Sequence, residues 1–369
     1  MKTKSAVVYE VGQPVEVVEL DLKGPAEGEV LIRWVASGIC HTDVHPGQGD
    51  LEVRTPMVLG HEGAGVVEEV GPAVTRVRPG DHVVCTSLPS CGTCHYCATG
   101  QQAICDMGET ILQGFLPGDR YVFTGPRGDY GAMCMLGTFS QYSTVHHTSV
   151  IKIDPSIPLE TAALMGCGVP TGWGSAVNAA DVVPGETVIV YGIGGIGVNA
   201  VQGARFAGAK HIIAVDPLEN KMKAALDFGA THAVSTHEEA HQIARDLTNG
   251  VGADKAIVTI GIVEESDVSD AFTAIAKGGT VVVTGLNQFA KLNVHVSGTE
   301  LALFKKTIRG TLWGDCNPTT DINRLLGLYQ NHDLKLDELV TTTYRLDDVN
   351  NGIEDMLNGT NLRGLIVHE

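Results

Sequence analysis

One stretch limits the possible folds of this chain more than any other. Val188-Ile189-Val190-Tyr191 is a short apolar run, Gly192-Ile193-Gly194-Gly195-Ile196-Gly197 follows at once, and a helical pattern continues through Phe206. A strand, a G-x-G-x-x-G turn and a helix in that order bring backbone N–H groups and a helix N-terminus to one point, which suits a pyrophosphate. The motif alone is weak. Its weight comes from the next apolar run, 211–215, which ends at Asp216, where an acid would accept hydrogen bonds from two ribose hydroxyls. That carboxylate would repel a 2′-phosphate, and no arginine follows it, so NAD is expected over NADP. Further apolar runs at 256–260 and 280–284 repeat the alternation of strand, glycine turn and helix. They predict a doubly wound parallel sheet of the Rossmann type.

The flanking sequence has another texture. Over residues 6–84, short β-branched runs alternate with Gly/Pro turns, as at 29–35 and 65–71, which predicts a β-rich first domain. After about residue 311 come a helix at 321–329, a strand near 341–345 and a second helix near 347–357. This tail is too short to fold alone and is expected to return to the first domain. The boundaries are drawn at 1–168 with 312–369 for the β-rich part and at 169–311 for the α/β part. A length of 369 residues with 43% hydrophobic and 18% charged residues supplies material for such cores and excludes a disordered chain. The net charge of −18 would repel a polyanion, so neither nucleic acid nor an anionic membrane is expected as a partner. The uncharged run 187–204 contains five glycines, an asparagine and a glutamine, and reads as buried strand, turn and helix rather than a membrane span. The basic start reaches Glu10 before any apolar stretch, which implies no export and a cytoplasmic location.

Nine cysteines without an export signal point to metal ligands or free thiols. Cys91, Cys94, Cys97 and Cys105 fall within fifteen residues, three of them at every third position. Zinc in a closed structural site takes four thiolates in a tetrahedron, and intervals this short let one loop wrap the ion. A disulfide pair or an iron–sulfur site is the alternative. A second group is scattered: Cys40 in Gly38-Ile39-Cys40-His41-Thr42-Asp43, His61 in Gly60-His61-Glu62-Gly63, and Cys167 between Gly166 and Gly168. Two cysteines and a histidine would leave a fourth metal position open for water or substrate, but spacing alone cannot make them converge. Singly, each is equally a small buried hydrophobe or a core histidine.

The cysteine loop, the Gly-Ile-Cys-His-Thr-Asp segment, the Gly-His-Glu segment and the glycine turn occur in the order found in zinc-dependent medium-chain alcohol dehydrogenases, and the resemblance covers essentially the whole chain. It implies a GroES-like catalytic domain beside the Rossmann domain and two zinc ions per chain, one structural and one catalytic. The catalytic zinc would sit on Cys40, His61 and Cys167, with Asp43 orienting His61 and Glu62 behind the metal. Thr42 and His45 match the family's proton-relay positions. Thr171 resembles the residue packed against the nicotinamide, Ile196 the apolar residue behind its ring, and Lys221 the lysine near the adenosine ribose. His41 stands where the liver enzymes have an arginine, so its pyrophosphate contact is weaker as a charge or absent. The stretch 307–313 resembles the family's edge strand, which pairs with its mate across a two-fold axis, implying a homodimer or homotetramer.

Sorbitol-type relatives have a glutamate at the place of Cys167, and zinc-free quinone reductases lack the ligands. The glutathione-dependent formaldehyde branch has basic residues soon after the last loop cysteine, whereas here Asp106 and Glu109 follow Cys105. The segments 133–139 and 166–181 are most similar to actinobacterial nicotinoprotein alcohol dehydrogenases, named for the artificial acceptor N,N-dimethyl-4-nitrosoaniline. That similarity implies NAD(H) retained through the cycle, a small alcohol or aldehyde substrate, and reoxidation by another acceptor, such as mycofactocin. The competing readings are a mycothiol-dependent formaldehyde dehydrogenase and a non-catalytic NAD-binding protein. Leu51, Leu88, Phe115 and Leu116 are candidates for an apolar substrate pocket or for plain core.

Overall fold

The computed structural model describes residues 1–49, 51, 53–287, 291 and 293–369. The chain divides into two compact units, Met1–Cys167 with Asn317–Glu369, and Gly168–Cys316. The first ten strands lie in the first unit: β1 (Lys2–Val8), β2 (Glu16–Leu22), β3 (Glu29–Gly38), β4 (Met57–Val58), β5 (Glu62–Val70), β6 (His82–Cys85), β7 (Phe123–Gly125), β8 (Gly128–Ala132), β9 (Tyr142–His146) and β10 (Val150–Lys152). β1, β2, β7, β8 and β4 close into a barrel around Val7, Leu20, Phe123 and Tyr130, all buried. Closure leaves no open strand edge in this part.

The second unit carries β11 (Thr187–Tyr191), β12 (His211–Val215), β13 (His232–Val234), β14 (Ala253–Val258), β15 (Ile275–Val283) and β16 (Thr307–Gly310). Their order is β13-β12-β11-β14-β15-β16, and every pairing is parallel. β11 is buried throughout, as a central strand covered on both faces must be. The order reverses direction at β11, so the crevice between β11 and β14 is a topological switch point, where such sheets bind ligands. Tyr191 pairs with Val215 on one side and with Val258 on the other, so the three strands end level and deliver Gly192, Asp216 and Thr259 to one edge.

Two features depart from the sequence expectation. β13 has three partly exposed residues and lacks the apolar run that marks the other strands. β16 stops at Gly310 instead of running through 307–313, because Trp313, Gly314 and Asp315 take left-handed backbone angles (φ 56°, 67° and 53°) that no strand contains.

The chain then returns to the first unit through a helix at Pro318–Gln330, a strand β17 (Val340–Tyr344), a helix at Val349–Leu357 and a strand β18 (Arg363–Val367). Asn317 caps the first of these helices by accepting from Thr319 N–H, and Pro318 occupies its first turn, where no N–H is needed. β17 and β18 complete a seven-stranded sheet, ordered β10-β6-β5-β3-β18-β17, with β9 also paired to β3. β18 lies antiparallel to β3, Leu365 opposite Gly38. The return therefore brings Arg363 to the strand that leads into Cys40.

Candidate active site and metal centres

The two cysteine groups are built differently. In the loop, Cys91, Cys94, Cys97 and Cys105 bring their sulfurs within 4.8 Å of one another. The Cys91–Cys97 separation is 3.9 Å and the Cys94–Cys105 separation 3.8 Å. Zn–S bonds of about 2.3 Å give a tetrahedron with edges of about 3.8 Å, so the spacing fits one ion. All nine cysteines are free, which removes the disulfide alternative. The backbone prepares the sulfurs for negative charge. Thr93 and Cys94 N–H groups point at Cys91 Sγ at 3.4 and 3.3 Å, and Cys97 N–H points at Cys94 Sγ at 3.4 Å. Burial pushes the Cys91 thiol up, but these N–H donors outweigh it and bring its pKa down to about 6. Cys94 is lowered, first by Cys97 N–H, whereas burial raises Cys105 to about 12.

The second group is assembled from three distant segments. Cys40 follows β3 and caps a short helical turn, His41–Asp43. His61 directly precedes β5, after Gly60, whose φ of 90° and position against Phe139 N and Thr138 Oγ1 leave no room for a side chain. Cys167 follows Gly166, where a Cβ would lie 2.9 Å from both Cys85 O and Glu62 Cα. The ligand atoms of Cys40, His61, Glu62 and Cys167 lie within 4.8 Å of one another, and Cys40, His61 and Glu62 are buried.

Asp43 organises this group. One of its oxygens pairs with His61 Nδ1 at 2.7 Å, while the other accepts Cys40 N–H at 2.9 Å. An imidazole held at Nδ1 by a carboxylate is oriented and made more basic as a metal ligand. His61 Nε2 is buried without a hydrogen-bond partner, a costly state for a polar atom unless a cation takes it up. The protonation pattern agrees. Burial alone would lower His61, but the Asp43 carboxylate at Nδ1 overcomes it and holds its pKa well above the usual value. The Cys167 thiol holds Cys40 well below the ordinary thiol value against the cost of burial, and Cys167 is raised in turn. Two sulfurs beside an imidazole nitrogen that has no hydrogen-bond partner form a donor set for a thiophilic cation.

The sequence reading missed Arg363. It is buried beside Glu62, with Nη2 on Glu62 Oε2. The pair lies over Gly38, where a Cβ would meet both side chains. Burial raises Glu62 to about 7 despite the guanidinium. Nothing in the local sequence could pair residues 301 positions apart; the β3–β18 register does so.

Thr42 Oγ1 lies 3.8 Å from Cys40 Sγ. His45 begins the next helical turn and is 3% exposed, so it is enclosed rather than near the surface. His41 is partly exposed. Of the pocket candidates, Leu116 belongs to the barrel core and Leu88 is buried, whereas Leu51 and Phe115 are partly exposed, with Phe115 edge-on to Tyr121.

In the second unit, Gly192 has φ 83° and packs on Ile260, and a Cβ at Gly197 would strike Gly192 O and Thr259 Oγ1. A Cβ at Gly194 would meet nothing within 4 Å among the described residues, so the turn has free space there. The Gly195–Phe206 helix has no side-chain cap, so its first N–H groups are available to an anion. Ile196 is partly exposed in its first turn. Asp216 accepts from Ile193 N–H at 2.8 Å and Leu218 N–H at 3.0 Å, one bond to each oxygen. Each oxygen keeps a lone pair for a further donor. Lys221 is buried in the following helix, and Thr171 in the Gly168–Gly174 helix. Thr259, also unforeseen, donates to Gly192 O at 2.6 Å and braces the turn.

Residues 26–155 match the family model described as an alcohol dehydrogenase GroES-like domain, and residues 195–331 match that of a zinc-binding dehydrogenase. The chain is 56% identical over 368 residues to a putative alcohol dehydrogenase D of Mycobacterium tuberculosis, covering 100% of both chains. It is also 56% identical to an NDMA-dependent alcohol dehydrogenase of Amycolatopsis methanolica, over 100% of this chain and 99% of that one. Among solved structures, benzyl alcohol dehydrogenase from Acinetobacter calcoaceticus superposes with a TM-score of 0.93 at 30% identity, over 100% of both chains.

Proposed function

The chain belongs to the zinc-binding alcohol dehydrogenase family, and from that premise we propose how its residues divide the work of interconverting an alcohol and an aldehyde. Cys40, His61 and Cys167 hold the catalytic zinc, and Cys91, Cys94, Cys97 and Cys105 hold the structural one. The observation that carries this reading is the convergence of the first three ligand atoms within 4.8 Å, with His61 fixed at Nδ1 by Asp43. When bound, zinc supplies Lewis acidity toward the substrate oxygen, and NAD accepts the hydride.

The chain's own residues supply the rest. Asp43 keeps His61 Nε2 aimed into the cluster. Thr42, next to Cys40, accepts the substrate's hydroxyl proton as it gives up its own, and the buried imidazole of His45 is the base that finally takes up a proton and passes it on. Arg363 balances the buried Glu62 carboxylate. The Gly192–Gly197 turn and the uncapped helix receive the pyrophosphate, and Asp216 receives the ribose hydroxyls, which selects NAD over NADP. Thr171 and Ile196 flank the nicotinamide, Lys221 lies near the adenosine ribose, and His41 adds a contact to the pyrophosphate.

Identity with an NDMA-dependent relative supports the finer reading that NAD(H) stays bound through the cycle and is reoxidised by a separate acceptor such as mycofactocin. β16, with exposed Thr307, Arg309 and Gly310 on the sheet's outer edge, supports pairing with a second copy. Among the described residues no helix is long and apolar enough to cross a membrane. The test is to denature the purified protein and measure what it releases. Two zinc ions and one NAD(H) per chain are expected; one zinc, or no nucleotide, would contradict the ligand assignment or the retention, respectively.

A further inference from the structure

The segment after β16 is built against its own backbone preference. Trp313, Gly314 and Asp315 stand consecutively in the left-handed region, and two of the three have side chains. Non-glycine residues persist there only when their surroundings hold them. Here the holding groups are identifiable. Asp315 Oδ1 accepts from Thr311 Oγ1 at 2.7 Å, and Asp315 Oδ2 accepts from Arg309 Nη2 at 2.6 Å. Arg309 Nη1 also donates to Ala179 O at 3.2 Å, at the end of a π-turn formed by Ser175–Ala179. Asn178 Nδ2 in that turn donates to Gly314 O at 3.1 Å. Strand end, left-handed turn and π-turn are thus closed into one clamp.

The clamp bears on one helix. A Cβ at Gly314 would lie 2.5 Å from Pro170 O and 2.7 Å from Thr171 O, so the turn rests directly on the Gly168–Gly174 helix at Thr171. The same helix is pinned from behind, since a Cβ at Gly172 would strike Ile196 O and lie 2.7 Å from Asn199 Cβ. Ser175 Oγ donates to Thr171 O at 2.6 Å and pairs with Thr284 Oγ1 at 2.9 Å. The Thr171 backbone is therefore fixed between the glycine-turn helix and the left-handed turn, and the latter is secured by a charge pair.

We propose that Asp315 and Arg309 are positioning residues that hold the left-handed turn against the Gly168–Gly174 helix and so set Thr171 for the nicotinamide half of the cofactor. The proposal rests on the reading of Thr171 given above. The Arg309–Asp315 pair is partly solvent-exposed, 49% and 29%, and such pairs add little to stability. Its effect should therefore appear in cofactor binding and not in unfolding.

The experiment, done on protein from which any retained nucleotide has been removed, compares the dissociation constants of NADH and ADP-ribose, which shares every part of NADH except the nicotinamide. Asp315→Asn is suitable because asparagine tolerates the left-handed region while losing the charge partner of Arg309. NADH binding is expected to weaken at least tenfold and ADP-ribose binding to change less than twofold, with the melting temperature nearly unmoved. Arg309→Ala should behave alike, and Arg309→Lys should recover most of the loss. Unchanged NADH binding in Asp315→Asn, with Thr171→Ala weakened, would overturn the clamp alone. Equal weakening toward both ligands would show general damage to the unit and overturn it too. Wild-type NADH affinity in Thr171→Ala would instead overturn the reading of Thr171 on which the proposal rests.

Discussion

The four-cysteine loop and the Cys40–His61–Cys167 cluster are both ready for a thiophilic metal, yet they reach that state by opposite routes. In the loop the ligands lie within fifteen residues, the sulfurs receive hydrogen bonds from adjacent N–H groups, and Cys91 and Cys94 are partly exposed. The ion there would replace a core too small to form. In the cluster the ligands come from three segments, Asp43 and Arg363 balance buried charge, and one imidazole nitrogen is left unpartnered. The surrounding fold already exists, and it is arranged to leave chemistry unsatisfied. A local site uses metal to make structure; a non-local site uses structure to make chemistry.

The sharpest way to break that contrast is to remove one sulfur from each. Cys94→Ser should cost much of the folding free energy that a closed zinc site supplies, of the order of several kcal/mol, and should be read as lost solubility and a lowered melting temperature. Cys40→Ser should abolish turnover while leaving the fold and one zinc per chain. If Cys40→Ser instead unfolded the protein, or stayed active at full zinc content, the two sites would not differ as argued.

Two substitutions probe smaller parts of the cluster. His45→Gln keeps size and some hydrogen bonding but cannot accept the proton, and loss of one positioned base typically costs about a hundred- to ten-thousand-fold. Because His45 is enclosed, water replaces it poorly, and a loss of about a hundredfold is expected in single-turnover alcohol oxidation, with zinc and nucleotide content intact. A wild-type rate and pH profile would remove it from the relay. Asp43→Asn should cost about ten- to a hundredfold in activity or zinc affinity. It weakens the grip on His61 Nδ1 without deleting a ligand, and zinc titration against a chelator would measure it.

The same contrast explains what could be read from the sequence. The loop was legible because its geometry is encoded in its spacing. The glycine turn was legible because Gly192, Gly197 and Asp216 act within consecutive elements. The cluster of Cys40, His61 and Cys167 was visible only through family resemblance, since no spacing rule brings the three together. Arg363 was not visible at all, because its role depends on β18 pairing with β3. The turn at Trp313–Asp315 was hidden for a different reason: its apolar, β-like composition is overridden by packing on the Gly168–Gly174 helix.

A last predicted effect concerns the seam that joins the return segment to the cluster. His368 follows β18, lies 3.1 Å from Ser37 Oγ on β3, and has its Nδ1 buried without a partner. Burial lowers its pKa from the ordinary 6.5 to about 4. The folded state therefore holds a neutral imidazole that the unfolded chain would protonate first. Its contribution is undiminished above about pH 6.5 and is lost progressively as pH falls toward about 4. For a shift of this size the loss reaches about 3 kcal/mol at the acid end. β3 leads into Cys40 and β18 carries Arg363, so acid should loosen the non-local cluster before it disturbs the local loop. Between pH 6.5 and 4, melting temperature should fall in the wild type and fall less in His368→Gln, which has no proton to gain. Parallel acid limbs in the two proteins would show that the seam does not carry this dependence.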